Sequence, residues 1–310
     1  MSDNLIVVFY AEDKNKNGGN NIQNNNTRKD TYLKNACVTL VSAKKHNPNT
    51  DVALITNTDI SEKYLSVMNE HGILLFVEEY DDFLFDNGYQ WSLAFYRFCA
   101  LSHLLKKYSY SRFVMLECDM FVQANLDCVF EECDQNIILH DVNHGLNNDN
   151  YRLFVNEIEQ FLKNGHVFPV QYEGGFLAIN REQALAFQNE CKRIYNKMVE
   201  EKFITRYGDM FILSVAAYNM RQCVKNGGAY VHIFWTGWFH LVSTCYKYNA
   251  VSVLHLPDEK EDGLIKLFDK YIEKGKFPSN QTVWTICHIK KMKLTTRIVM
   301  LLRRIWAIFE

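Results

Sequence analysis

The sequence has no Cys-x-x-Cys pair, no excess of positive charge, and no apolar run near the roughly 20 residues that span a bilayer. Each absence removes a class. Nine cysteines (Cys37, Cys99, Cys118, Cys128, Cys133, Cys191, Cys223, Cys245 and Cys287) are scattered without paired spacing, which argues against a zinc ribbon or a thioredoxin-type site. Several lie in apolar runs such as Phe98-Cys99-Ala100-Leu101 and read as small buried hydrophobes in a reducing compartment. A formal net charge of −2 offers nothing for nucleic acid, so no nucleic-acid partner is expected. The chain opens Met1-Ser2-Asp3-Asn4, without the basic start and long apolar stretch of a secretory signal. A cytoplasmic protein is therefore expected. The first apolar run leads into Tyr10-Ala11-Glu12-Asp13, which lacks a glycine-rich phosphate loop and makes a sugar-phosphate nucleotidyltransferase a poor fit.

What is present suits one sizeable core: 310 residues, 48% of them hydrophobic, with aromatics high at 14%. Most of those rings belong in the core, and some suit stacking on sugar faces. Leu5–Tyr10, Asp51–Thr56 and Ile73–Val77 read as short buried strands, separated by helical patterns at Leu33–Lys45 and Ser61–His71. The Asn- and Gly-rich stretch from Glu12 to Asp30 reads as a polar loop. A long helix is expected over Trp91–Tyr108, then strands at Phe113–Leu116 and Asn136–His140 and a helix near Tyr151–Lys163. Further strands follow at Gly174–Asn180, Ala229–Phe234 and Ala250–Leu254, with helices at Glu182–Glu200, from Gly208 to Tyr218, and over Asp262–Lys274. This alternation predicts an α/β fold, a mainly parallel sheet flanked by helices. One domain over 1–275 with an appended segment over 276–310 is the economical division.

The most informative stretch is Arg112-Phe113-Val114-Met115-Leu116-Glu117-Cys118-Asp119. Two carboxylates one residue apart follow directly on a buried strand. Open α/β sheets bind ligands beyond the carboxyl ends of their strands, and extended residues i and i+2 point the same way. Glu117 and Asp119 can therefore face one ligand, and paired hard oxygens suit Mn²⁺ or Mg²⁺ on a diphosphate.

Tyr108 through Asp127 resembles the metal-binding segment of GT-A glycosyltransferases, in particular the family of glycogenin and the bacterial lipooligosaccharide galactosyltransferases. That family carries Asp-x-Asp where this chain has Glu117-Cys118-Asp119. The resemblance implies a Rossmann-like GT-A domain that binds a nucleotide-sugar, with Asp119 on the metal and Glu117 on the metal or the ribose. Tyr96-Arg97-Phe98 resembles the family's Tyr-x-Arg element, which brings Arg97 near the donor. Gln171–Asn180 resembles its small-residue strand, in which Gly174 and Gly175 would let backbone approach the sugar, with Glu173 in place of the usual Asn or Ser. Arg206-Tyr207-Gly208-Asp209 matches an acidic element at a helix start, where Asp209 is also a plausible N-cap. Tyr10, Ala11 and Cys118 join the nucleotide-sugar set. The family's terminal His and Lys motif is not found as a string. The nearest substitute is His255 as third metal ligand with Lys260 behind it, and His232 or His240 is a rival.

Trp235 and Trp238, beside Gly237, form a possible acceptor platform. The resemblance implies retaining transfer of a hexose, from a UDP-sugar donor, to a saccharide or lipid-linked glycan, and surface polysaccharide synthesis is the favoured setting. An inverting enzyme would need a base, and Asp209 or Glu173 are the catalytic candidates. A non-catalytic sugar-binding adaptor is the reading outside enzymology. From Ile289 to Glu310 the tail carries six basic residues and one acidic; the rest of the chain is net −7. As a helix it aligns Ile298, Leu301, Leu302, Ile305 and Ile308, with Trp306 extending the stripe. That pattern suits an anionic membrane surface, and peripheral attachment to the cytoplasmic face is expected.

Overall fold

The computed structural model describes residues 2–12, 25–85, 89–142, 148–165, 167–237, 248–290 and 294–306. The strands are β1 (Asn4–Tyr10), β2 (Asp51–Thr56), β3 (Leu74–Val77), β4 (Arg112–Leu116), β5 (Met120–Val122), β6 (Ile137–Asp141), β7 (Tyr172–Asn180), β8 (Val224–Asn226), β9 (Val231–Ile233) and β10 (Val253–His255). The helices are α1 (Asn25–His46), α2 (Glu62–Glu70), α3 (Tyr96–Lys107), α4 (Asp127–Glu132), α5 (Asp149–Leu162), α6 (Arg181–Glu200), α7 (Asp209–Asn219), α8 (Gly263–Lys274), α9 (Asn280–Ile286) and α10 (Leu294–Trp306).

Seven strands form one sheet in the order β3-β2-β1-β4-β7-β6-β8. Only β7 is reversed, antiparallel to both β4 and β6. The run Leu5-Ile6-Val7-Val8 is apolar at every position because both faces of β1 are covered. Ile6 and Val8 enter a core shared with α1, α2, α4, α8 and α9. Leu5 and Val7 enter a second core with α3, α5, α6 and α7. The first core extends past residue 275, with Phe277, Val283, Cys287 and Ile289 buried in it. A small sheet, β5-β10-β9, lies alongside; β10 runs antiparallel to β5 and opposes His255 to Met120.

The strand–helix order agrees with the sequence pattern, with local differences. Helix α1 begins at Asn25, so the last residues of the expected loop are helical, and the expected loop over 13–24 lies outside the described residues. Its apolar face begins at Tyr32 and Leu33, so the earlier, polar turns were hidden. The long helix after β3 starts as a 3₁₀ turn, Ser92–Phe95, and becomes α-helical at Tyr96. Strands β9 and β10 are three residues each, and β10 ends on His255. Strand β8 and helix α9 have too short or too polar a pattern to be read from the chain.

Helix α1 also fixes the segment that follows β4. Thr39 and Ser42 on its buried face, and Asn47 just past its end, do this. The Thr39 hydroxyl lies 2.6 Å from the Cys118 carbonyl and 2.7 Å from that of Met120, and accepts from Met120 N at 3.1 Å. Ser42 Oγ accepts from Val122 N at 3.0 Å, and Asn47 Oδ1 from Leu126 N at 2.8 Å. An apolar face could not satisfy this irregular backbone. Thr39→Val keeps the shape but removes the hydroxyl, and should cost about 2 kcal/mol by leaving buried backbone groups short of a partner. Denaturant unfolding of the two proteins checks this; equal midpoints would show that Thr39 does not hold the segment.

Candidate active site

A cavity of about 150 Å³ opens beyond the carboxyl ends of β1 and β4, lined by Tyr10, Ala11, Arg97, Glu117, Cys118, Asp119 and Lys260 among others. The sheet order changes direction there: β2 and β3 lie on one side of β1, β4 on the other. Such a switch point leaves a crevice between diverging connections.

Glu117 and Asp119 converge, as their i, i+2 spacing requires. Both reach the Nε2 edge of His255: Glu117 Oε2 lies at 3.2 Å and Asp119 Oδ2 at 3.3 Å. The opposite ring nitrogen, Nδ1, is 3.0 Å from Glu173 Oε2. Glu173 is held from its far side by His140, with 2.9 Å between Oε1 and Nδ1. Lys260 Nζ is 2.6 Å from Asp119 Oδ2. Arg97 Nη2 is 2.5 Å from Glu117 Oε1, and its Nε is 2.8 Å from Asp209 Oδ2. Four carboxylates thus share one buried cluster with Arg97, Lys260 and two histidines.

Backbone pairing places these groups. Leu256 N donates to Asp119 O at 2.9 Å, which sets β10 against the turn and delivers His255 to it. Glu117 N donates to Gly175 O at 3.1 Å, continuing the β4–β7 ladder by one bond. Lys260 follows a short turn, Pro257–Glu259, whose buried Glu259 bonds Thr236, Gly263 N (3.1 Å) and His288 (2.9 Å).

The charges interlock. Burial alone would raise Asp119, but Lys260 and His255 pull it well below the usual carboxylate range. Glu117 is likewise lowered against burial, by the close approach of the His255 ring and the charge of Arg97. Glu173 comes down to about 2, as the charge of His255 and the bond from His140 outweigh burial. Burial would lower His255, yet Glu173 and Asp119 hold it well above the usual imidazole range. Asp209 goes the other way, up to about 6, because burial outweighs Arg97.

Two close contacts are poorly directed. Asp119 Oδ2 and His255 Nε2 are buried yet have no hydrogen-bond partner of acceptable geometry. Beside them, ligand atoms of Glu117, Glu173 and His255 lie within 4.8 Å of one another, a mixed oxygen and nitrogen donor set. The residues present therefore fit a divalent cation.

The structure gathers most of the residues expected from sequence. Arg97 is buried, since its fork sits between two carboxylates. Asp209 is the first residue of α7 rather than its cap; Gly208 holds the cap position at φ +60°. Gly174 and Gly175 are not part of the cavity lining, and make room for side chains of the protein itself. A Cβ on Gly174 would sit 1.6 Å from Arg97 Nη1 and 2.3 Å from Asp209 Oδ2, and one on Gly175 would sit 2.8 Å from His255 Cε1. Trp235 is half-buried after β9 and is not among the cavity-lining residues. Trp238 and His240 lie outside the described residues. His232 packs edge-on against His140 and Phe234, with ring centres 6.1 and 5.0 Å away. Sequence reasoning missed His140, and the cavity wall of Tyr32 and Trp91. His140 sits near the carboxyl end of β6, the one signal that could have found it.

No protein-family model and no curated protein sequence matches the chain. Solved structures do. Mouse xyloside xylosyltransferase 1, in its apo form, superimposes with a TM-score of 0.53 at 11% identity, over 81% of this chain and 96% of that one. The galactosyltransferase LgtC, solved with donor and acceptor sugar analogues, gives 0.51 at 15% identity, over 81% and 86%. At these identities the likeness establishes the fold, which is the GT-A arrangement of these two transferases.

Gly174→Ala should cost about 3 kcal/mol or more, because the new methyl can be housed only by breaking the buried Arg97 pairs. Thermal unfolding decides it: a wild-type midpoint would mean that the cluster is looser than described.

Proposed function

We propose that the chain is a metal-dependent glycosyltransferase that moves a hexose from a nucleotide-sugar, of the UDP class, to a saccharide or lipid-linked glycan in surface-glycan synthesis. The observation that carries this reading is that Glu117 and Asp119 both approach His255 Nε2 at the edge of a switch-point cavity, with Lys260 alongside. The two solved structures of the same fold are both sugar transferases, which supports it.

Glu117, Asp119 and His255 would hold the cation, with Mn²⁺ favoured and Mg²⁺ as substitute. A bound cation there offsets negative charge on a diphosphate leaving group. Lys260 adds a fixed positive charge at the wall, where the leaving group's oxygens would develop charge. Arg97 keeps Glu117 turned toward the cavity. Tyr10 and Tyr32, with ring centres 6.2 Å apart, offer apolar faces for a nucleoside base. Trp235 is assigned to the acceptor side.

Retention of configuration is the better fit. Inversion needs a carboxylate free to take the acceptor's proton. Glu173 is locked between two histidines with a pKa near 2, and makes a weak base. Asp209, near 6, is the stronger base but is tied to Arg97 and is not part of the cavity lining.

Thermal unfolding with a panel of nucleotide-sugars should show stabilisation by a UDP-sugar only when Mn²⁺ is present. The gain is about 2.7 kcal/mol at a hundredfold excess over Kd. Asp119→Ala should erase it. Stabilisation that ignores the metal, or survives in Asp119→Ala, would sink the assignment, and the anomeric configuration of the product separates retention from inversion.

The cytoplasmic, membrane-peripheral location belongs to the same proposal. Leu294, Ile298, Leu301, Leu302, Ile305 and Trp306 on α10 are all exposed rather than docked on the domain. No helix among the described residues is long and apolar enough to cross a membrane. An apolar stripe in a basic segment can lie in the headgroup region of anionic lipids. Flotation should recover the protein with phosphatidylglycerol vesicles, not with phosphatidylcholine alone, and a chain ending at Lys290 should stay behind. Equal recovery of both chains would overturn this part.

A further inference from the structure

We propose that Asp81, Cys99 and His103 form a second metal site, apart from the cavity, which takes a zinc ion as a clamp between α3 and the segment after β3. Cys99 and His103 are four residues apart on α3 and so share a face. Asp81 approaches that face from the loop. Its Oδ1 lies 3.3 Å from Cys99 Sγ and 3.1 Å from His103 Nε2. One ligand atom from each of the three falls within 4.8 Å of the others. Zinc bonds of 2.0–2.3 Å imply tetrahedral edges of about 3.5 Å, so the two contacts of Asp81 need to lengthen by only a few tenths of an ångström.

A second observation points the same way. The other ring nitrogen of His103, Nδ1, faces the buried carboxylate of Glu78 at 3.5 Å. Ligating histidines are oriented by such an outer carboxylate. Glu78 is itself held by Lys107 and, at 3.3 Å, by the Tyr108 hydroxyl. Sulfur, imidazole nitrogen and one carboxylate oxygen make a set that hard cations reject and zinc accepts. Cys99 is fully buried, whereas the Asp81 side chain is 56% exposed, which leaves an entry path and a fourth position for water. The Cys99 thiol loses its proton to solvent as the sulfur–zinc bond forms.

The other mixed cluster, Glu259, Asp262 and His288, fails this reading. It offers no sulfur, and its Glu259 carboxylate is already engaged by Thr236, Gly263 N and His288. The clamp has a consequence for the sugar site. Arg97 lies two residues before Cys99 on the same helix, so an ion there would fix the helix that positions Arg97.

The test uses the full chain, stripped with a chelator and titrated with Co²⁺. One equivalent should develop a thiolate-to-cobalt charge-transfer band that Zn²⁺ quenches. Cys99→Ser should lose the band, while Asp119→Ala, at the other site, should keep it. Asp81→Asn and His103→Gln should weaken binding at least tenfold, and Glu78→Gln about tenfold. No band in the wild type, or an undiminished band in Cys99→Ser, would overturn the site. Should Cys99→Ser fail to fold by far-UV circular dichroism, Asp81→Asn decides, since it alters a largely exposed side chain; unchanged affinity there would likewise overturn it.

Discussion

His255 sits at the centre of the buried charge and makes the surrounding geometry necessary. Its two ring nitrogens face three carboxylates, from the turn after β4 and from β7. Isolated buried carboxylates would be expensive enough to stay protonated. Instead Glu117, Asp119 and Glu173 are all held in their charged forms, which requires compensating cations within hydrogen-bond reach. Arg97 and Lys260 close the balance from α3 and from the turn after β10. Five separate segments therefore have to arrive together. A cluster so arranged is a poor source of stability and a good source of specificity, because removing any one partner strands the others.

That requirement explains the glycines. A side chain at position 174 or 175 would occupy space already filled by the cluster. The resemblance to known transferases suggested that small residues there admit the donor sugar. In this chain they admit Arg97, Asp209, His255 and Glu173. Both readings rest on close backbone approach, but they put the pressure in different places: packing against the protein's own charges already demands glycine.

The parts of the fold legible in the chain were those with strong periodicity. Continuous short apolar runs such as Leu5–Val8 and Phe113–Leu116, rich in β-branched and aromatic residues, read as strands covered on both faces, and the acid pair after β4 was placed by simple alternation. His255 was reachable because it closes an apolar run. The partners of these residues were not legible. Nothing around His140 marks it as the neighbour of Glu173, because that contact depends on the pairing of β6 with β7. The burial of Arg97 was equally hidden, since a lone arginine on a helix reads as solvated until its carboxylates are known to sit across from it. The start of α1 at Asn25 was masked by an Asn-rich stretch whose helix is supported by its later, apolar turns.

The reversal of β7 has an evolutionary corollary. Parallel strands deliver their carboxyl ends to the ligand edge, and the loops beyond them can lengthen or shorten freely. Strand β7 arrives at that edge with its amino end, so Glu173, Gly174 and Gly175 lie within the strand itself, with Glu117 N donating to Gly175 O. Adding or deleting one residue there would turn Glu173 to the wrong face of the sheet. This stretch can therefore drift only by substitution.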